Sequence, residues 1–246
     1  AVSVAENSTA VTTVASIIDS TGTGKTYSIT GGADASLFTI DASSGALSFV
    51  SAPDFENKLD TGANNVYDVT VQVSDGVGGV DTQAIAVTVT NVNEAPVITS
   101  NGGGAAATPI SILENSTAVT TVTSTDVDAG ATATYSISGG VDAAKFNINS
   151  STGALSFASA PNYESPTDVG TNNVYDVTVR VSDGLGGTDT QTIAVTVTNV
   201  NEAPVITSNG SGTTAAVNVA ENSTAVTTVT STDVDASATA TYSIIG

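Results

Sequence analysis

The dozen residues TNVNEAPVITSN occupy positions 90–101 and recur, letter for letter, at 198–209, 108 positions further on. A chain with a period of this size folds as a row of like units, because each copy must bury the same apolar positions. Other landmarks recur at this spacing or within one residue of it. ENSTAVTTV begins at Glu6, Glu114 and Glu221, SSGALSF at Ser43 answers STGALSF at Ser151, and NNVYDVTV begins at Asn64 and at Asn172. The chain therefore divides into two full copies, residues 1–93 and 94–201, and a partial third, residues 202–246.

Within the second copy, alternation bounded by Gly, Asp and Asn predicts seven strands: Pro109–Leu113, Ala118–Thr123, Thr134–Ser138, Lys145–Ile148, Ala154–Phe157, Val174–Ser182 and Asp189–Val200. Val177, Val179 and Val181 share one face and Thr178, Arg180 and Ser182 the other, while Ile193, Val195 and Val197 repeat the scheme. This pattern suits tandem antiparallel Greek-key sandwiches, all-β and Ig-like, with a solvated outer face on each sheet. The abundance of Val, Ile, Thr and Ser favours sheet over helix. Tyr27, Phe38, Phe49, Phe55 and Tyr67 recur as Tyr135, Phe146, Phe157, Tyr163 and Tyr175, with Tyr242 in the third copy. Aromatics that recur at fixed places in every copy are expected in cores rather than on a sugar-stacking face. The third copy, up to Gly246, holds only its opening strands and Tyr242, so its Val217, Val219, Val226 and Val229 are expected on unpaired strand edges.

Composition restricts the chemistry. There is no Cys, Met, Trp or His, which removes disulfides, thiolate or imidazole metal sites and Ser-His-Asp catalysis. Twenty-four acidic against four basic residues give a formal net charge of -20, unsuited to nucleic acid or anionic membranes and suited to cations held by oxygen. No apolar run is long enough for direct membrane insertion, and the start lacks the basic and apolar regions of a signal peptide, so the sequence reads as an excerpt of a longer exported protein.

Many of the acids fall in turns or linkers at recurring places: Glu6 and Glu114, DFE at 54–56 and NYE at 162–164, SDG at Asp75 and Asp183, and NVNE at 91–94 and 199–202. DVD appears at Asp126/Asp128 and Asp233/Asp235. AEN, DFE, DVD, SDG and NVNEAP, in that order within a seven-strand repeat, resemble the cadherin repeat in the form common in bacterial surface adhesins. In that family calcium sits between successive repeats. The resemblance implies a first junction of Glu6, Asp54, Glu56, Asn93, Glu94, Asp126, Asp128 and Asp183, and a second drawing on Glu114, Glu164, Asn201, Glu202, Asp233 and Asp235. Calcium's six to eight oxygen ligands suit such a set better than magnesium's strict octahedron.

Departures from the family pattern carry expectations of their own. Asn91 and Asn199 open the linkers where the family has Asp, and Asn162 replaces Asp54, which should weaken the second junction. Ile18 and Ser20 stand where the second copy has Asp126 and Asp128, so a site upstream of the first copy should hold little calcium. Asp68, Asp176, Asp81 and Asp189 lie beside strands and read as solvated. The NST triplets at Asn7, Asn115 and Asn222 match a glycosylation sequon but follow candidate ligands at a strand-entry turn.

Together these features predict a calcium-stiffened stalk segment of an extracellular adhesin or surface fibre, whose partners are calcium ions and neighbouring repeats. Two other readings remain open: recognition of glycans or sister chains through the long loops NKLDTGANN and SPTDVGTNN, and a self-complementing filament subunit. An enzyme is not expected, because no carboxylate pair stands apart from the proposed ion sites.

Overall fold

The computed structural model describes residues 2–17, 24–236 and 238–245. Ile18 and Ser20 lie outside the described residues. The chain forms two compact units, one of residues 1–94 with 127–130 and one of residues 95–126 with 131–246. Among the described residues there is strand and short 3-10 turn but no α-helix, and no helix is long and apolar enough to cross a membrane.

The first unit runs β1 (Val2–Ala5), β2 (Ala10–Thr13), β3 (Thr26–Gly31), β4 (Phe38–Ile40), β5 (Ala46–Phe49), β6 (Val66–Ser74) and β7 (Val80–Thr90). One sheet has the order β1-β7-β6-β3 and the other β2-β5-β4. β1 lies parallel to β7, with Val2 beside Val87, and every other pairing is antiparallel. The unit is the seven-stranded sandwich that the alternation predicts.

The second unit repeats this plan with an addition. It runs β8 (Val97–Ile98), β9 (Ile110–Leu113), β10 (Ala118–Thr121), β11 (Ser124–Thr125), β12 (Thr134–Gly139), β13 (Phe146–Ile148), β14 (Ala154–Phe157), β15 (Val174–Ser182) and β16 (Thr188–Thr198). Its sheets are β12-β15-β16-β9 and β10-β14-β13, and the extra pair β8/β11 has no predicted counterpart. Two-residue strands carry too little alternation to be read from sequence. The third copy contributes β17 (Val205–Ile206) and β18 (Ser231–Thr232), paired to each other, and its Val217, Val219, Val226, Val229 and Tyr242 are exposed.

The cores sit between the sheets. Val177, Val179, Val181, Ile193, Val195 and Val197 are all buried, as their alternation requires. Phe38 stacks on Phe49 at 4.5 Å between ring centroids and Tyr67 meets Phe49 edge-on at 5.2 Å; Phe146, Phe157 and Tyr175 repeat the cluster at 4.5 and 5.0 Å. The all-core expectation fails for two rings and holds in part for a third, Phe55, which packs against the edge of the first core. Phe55 is only half-buried, with Lys58 Nζ 5.9 Å from its ring centroid, and Tyr163 and Tyr242 are exposed. Residues 55 and 163 belong to loops whose backbone amides are held by glutamates, which fixes the main chain and leaves the ring at the rim.

Buried aspartates, overlooked in the sequence, tie down the long loops. Asp34 accepts the Thr61 amide at 2.7 Å on one oxygen and the Asp68 amide at 2.8 Å on the other, while Asp60 accepts Asn64 and Asn65 amides. Asp142 and Asp168 do the same in the second copy. Burial would raise the Asp34 pKa, but the hydrogen bonds from Asp68 and Thr61 outweigh it and hold the carboxyl below its ordinary value. The loops NKLDTGANN and SPTDVGTNN are thus anchored segments whose polar groups are largely spent on the fold.

Candidate metal centres

Each full copy begins its site with a buried glutamate just after its first long strand. Glu6 follows β1, whose parallel pairing with β7 carries it to the start of the NVNE linker. One Glu6 oxygen accepts the Val92 amide at 2.7 Å and the other the Phe55 amide at 2.8 Å. Asn7 takes a left-handed backbone, φ 61°, donates its amide to the Pro53 carbonyl, and sends its side-chain amide to Glu94 at 3.2 Å. Three loops therefore converge on a carboxylate that is itself buried.

Around Glu6 the ligand oxygens of Glu56 and Glu94 all lie within 4.8 Å of one another and of its own. Asp128 joins them from the short segment 127–130: one oxygen receives the Asn91 side-chain amide at 2.6 Å and the other the Glu94 backbone amide at 2.7 Å. The Asn that opens the linker is thus an orienting group for Asp128, a role the sequence reading missed. Asn93 donates its side-chain amide to the Glu94 carbonyl at 3.0 Å. Asp54 caps its own turn, accepting the Glu56 and Asn57 amides.

The electrostatic consequence is an upward shift of the carboxyl pKa values in the cluster. Partial burial and the neighbouring charge of Glu6 raise the Glu56 pKa, with Glu94 and Asp128 adding to it. Desolvation and Glu6 raise the Glu94 pKa likewise. One Glu94 oxygen, Oε2, is buried without a hydrogen-bond partner.

The second unit builds the same arrangement from the same letters. Glu114 accepts the Tyr163 and Val200 amides, each at 2.8 Å, and the ligand oxygens of Glu114, Glu164 and Glu202 lie within 4.8 Å of one another. Asp235 receives Asn199 at 2.8 Å and the Glu202 amide at 2.8 Å, Asn115 donates to Glu202 at 3.2 Å, and Asn201 donates to the Glu202 carbonyl. Asp233 accepts the Asp235 amide at 3.0 Å. Desolvation, then Glu114 and Glu164, raise the Glu202 pKa, and Oε2 of both Glu164 and Glu202 is buried without a partner.

The remaining predicted ligands, Asp126 and Asp183, belong to the second unit. Asp183 is buried and accepts the amides of Leu185, Gly186 and Gly187 in the β15–β16 hairpin. Asp189, read as solvated, accepts the Ile98 amide at 2.8 Å and so has a structural partner.

The family model of the cadherin domain matches residues 108–199. Among solved structures the chain is similar to human CDH23 EC21-23, at 22% identity over 96% of this chain and 77% of that one, with a TM-score of 0.59. Mouse cadherin-23 EC22-24 is similar at 22% identity over 95% and 74%, TM-score 0.55. Drosophila N-cadherin EC1-4 is similar at 16% identity over 94% and 56%, TM-score 0.55. No curated protein matches the chain. The fold is that of tandem cadherin-like β-sandwich domains.

Proposed function

We propose that the chain is a calcium-stiffened stalk segment of an extracellular adhesin or surface fibre. The observation that carries this reading is the recurrence, in both units, of three glutamates with mutually close oxygens, buried unpartnered carboxylate atoms and raised pKa values. Carboxylates held together this way repel one another unless a cation neutralises them, and an all-oxygen donor set with no nitrogen or sulfur suits calcium. Glu6, Glu56, Glu94 and Asp128 would hold the ion in the first unit and Glu114, Glu164, Glu202 and Asp235 in the second; Asp54, Asn93, Asp126, Asp183, Asn201 and Asp233 complete the proposed sets. The ion supplies positive charge; the protein supplies prearranged oxygens. Adhesion to a cell surface or matrix is part of the same proposal, and the similarity in fold to cadherin structures supports it.

Affinity of roughly 10⁻⁴ to 10⁻³ M is expected for an extracellular module of this kind. Calorimetric calcium titration with small-angle scattering tests the proposal. Saturable binding with a change in the radius of gyration on chelation supports it; an unchanged radius of gyration overturns the stiffening.

A further inference from the structure

Asn65 and Asn173 are the second asparagines of the two NNVYDVTV stretches, and each stands where a long loop enters a strand, Asn65 before β6 and Asn173 before β15. Both are buried, at 2% and 9% exposed, and both have φ 61°. Their backbones tie the loop to the sheet. Asn65 donates its amide to Asp60 at 3.0 Å, and its carbonyl accepts the Val89 amide of β7 at 2.9 Å. Asn173 donates to Asp168 at 3.1 Å and accepts from Val197 at 2.8 Å.

The side chains reach towards the candidate metal centres. Asn65 Nδ2 donates to the Phe55 carbonyl at 2.9 Å, and Asn173 Nδ2 to the Tyr163 carbonyl at 2.8 Å. The Phe55 carbonyl belongs to the peptide bond that leads into Glu56. The N–H of that same peptide bond donates to Asp54 at 3.0 Å, while the Phe55 amide is held by Glu6 at 2.8 Å. Three successive polar groups of the main chain entering Glu56 are thus gripped, two by acids of the centre and one by Asn65. Rotation of this peptide would swing the Glu56 carboxylate away from Glu6 and Glu94. In the second unit Asn162, in place of Asp54, accepts the Ser165 amide at 2.7 Å, and the main chain entering Glu164 is held by Glu114 and Asn173.

Backbone geometry alone does not account for these asparagines. Ala63 and Thr171 adopt φ of 48° and 49° in the same loops, so other residues serve this backbone there. Burial also leaves Oδ1 of both Asn65 and Asn173 without a hydrogen-bond partner, a cost that glycine would avoid. What asparagine supplies in both copies is the Nδ2 donor.

We propose, resting on the calcium reading above, that Asn65 and Asn173 are positioning residues for the candidate metal centres, setting Glu56 and Glu164 through the carbonyl of the preceding residue. The loops NKLDTGANN and SPTDVGTNN, each of which ends on this asparagine, then serve as the rear support of the ion sites.

Calcium titration of the 246-residue chain, followed through the amide resonances of Val92 for the first centre and Val200 for the second, tests this. Asn65→Gly suits the left-handed backbone and should weaken calcium binding about tenfold at Val92 while leaving Val200 unchanged; Asn173→Gly should do the reverse. Gly32→Ala strains the first unit against β6 and is the control for lost stability, expected to leave the affinity at Val92 unchanged. Calcium affinity unmoved by both asparagine variants, or lowered equally by Gly32→Ala, overturns the positioning role. A wild-type chain whose resonances do not respond to calcium overturns the calcium reading and this role with it.

Discussion

The Glu6 carboxylate accepts the Val92 amide at 2.7 Å from 86 positions away, and it spends its other oxygen on Phe55. Both bonds come from backbone, so they need a carboxylate whether or not a cation is bound. A glutamine offers one acceptor and one amide group, and in either orientation an N–H then faces an N–H. Glu6→Gln should therefore destabilise the first unit by about 1–3 kcal/mol. Urea unfolding in chelator checks this; a loss seen only with calcium present would make Glu6 a ligand and nothing more.

Glu56 and Glu94 have folded-state pKa values above the ordinary glutamate value of 4.5. Between that value and the raised one, the folded chain binds more protons than the unfolded chain, so these groups make stability fall as pH rises through the window. Without calcium, the first unit should gain stability as pH is lowered from neutral towards that range. Calcium bound at the proposed site would displace the protons. Potentiometry of the unbuffered protein should show proton release on calcium addition within this window, reduced in Glu94→Gln; equal release from the variant would contradict the assignment.

Asp128→Ala should remove most calcium binding by the first unit. Asp128 is gripped by Asn91 and Glu94, and its loss leaves two donors without an acceptor. A drop of about tenfold, equivalent to ~1.4 kcal/mol, is expected in calorimetry. Asp81→Ala serves as the control for generic charge, and an equal loss there would dismiss a specific site.

Gly140 has φ 103°, and a Cβ built on it would stand 2.4 Å from the Asp176 carbonyl oxygen. Gly32 repeats the situation against Asp68. Gly140→Ala must both strain the backbone, at a cost on the order of 1–3 kcal/mol, and push β15 away. Calorimetric melting should show the second unit's transition lowered and the first unit's unchanged.

The long strands were legible because their alternation is strict: Val174–Ser182 was predicted to the residue, and Ala154–Phe157 likewise. The glutamates of both centres were legible through their recurrence. What escaped was whatever lacks a period. β8 and β11 are two residues each, and Asp34, Asp60, Asp142 and Asp168 lie in irregular loops where an acid reads as solvent-facing until its amide partners are seen. Asn91 and Asn199 looked like lost ligands, yet each orients an aspartate.

The twin linkers have a consequence for how such a gene product can change length. Removing residues 95–202 joins Glu94 directly to Ala203 and recreates NVNEAPVITSN without a seam. Asp235 now receives Asn199 and the Glu202 amide; in the shortened chain the same aspartate faces Asn91 and Glu94, which are the same residue types at the same spacing. Loss or gain of a whole copy therefore rewrites no boundary, so recombination between identical linkers can lengthen or shorten the protein while every remaining junction keeps the hydrogen bonds it already had.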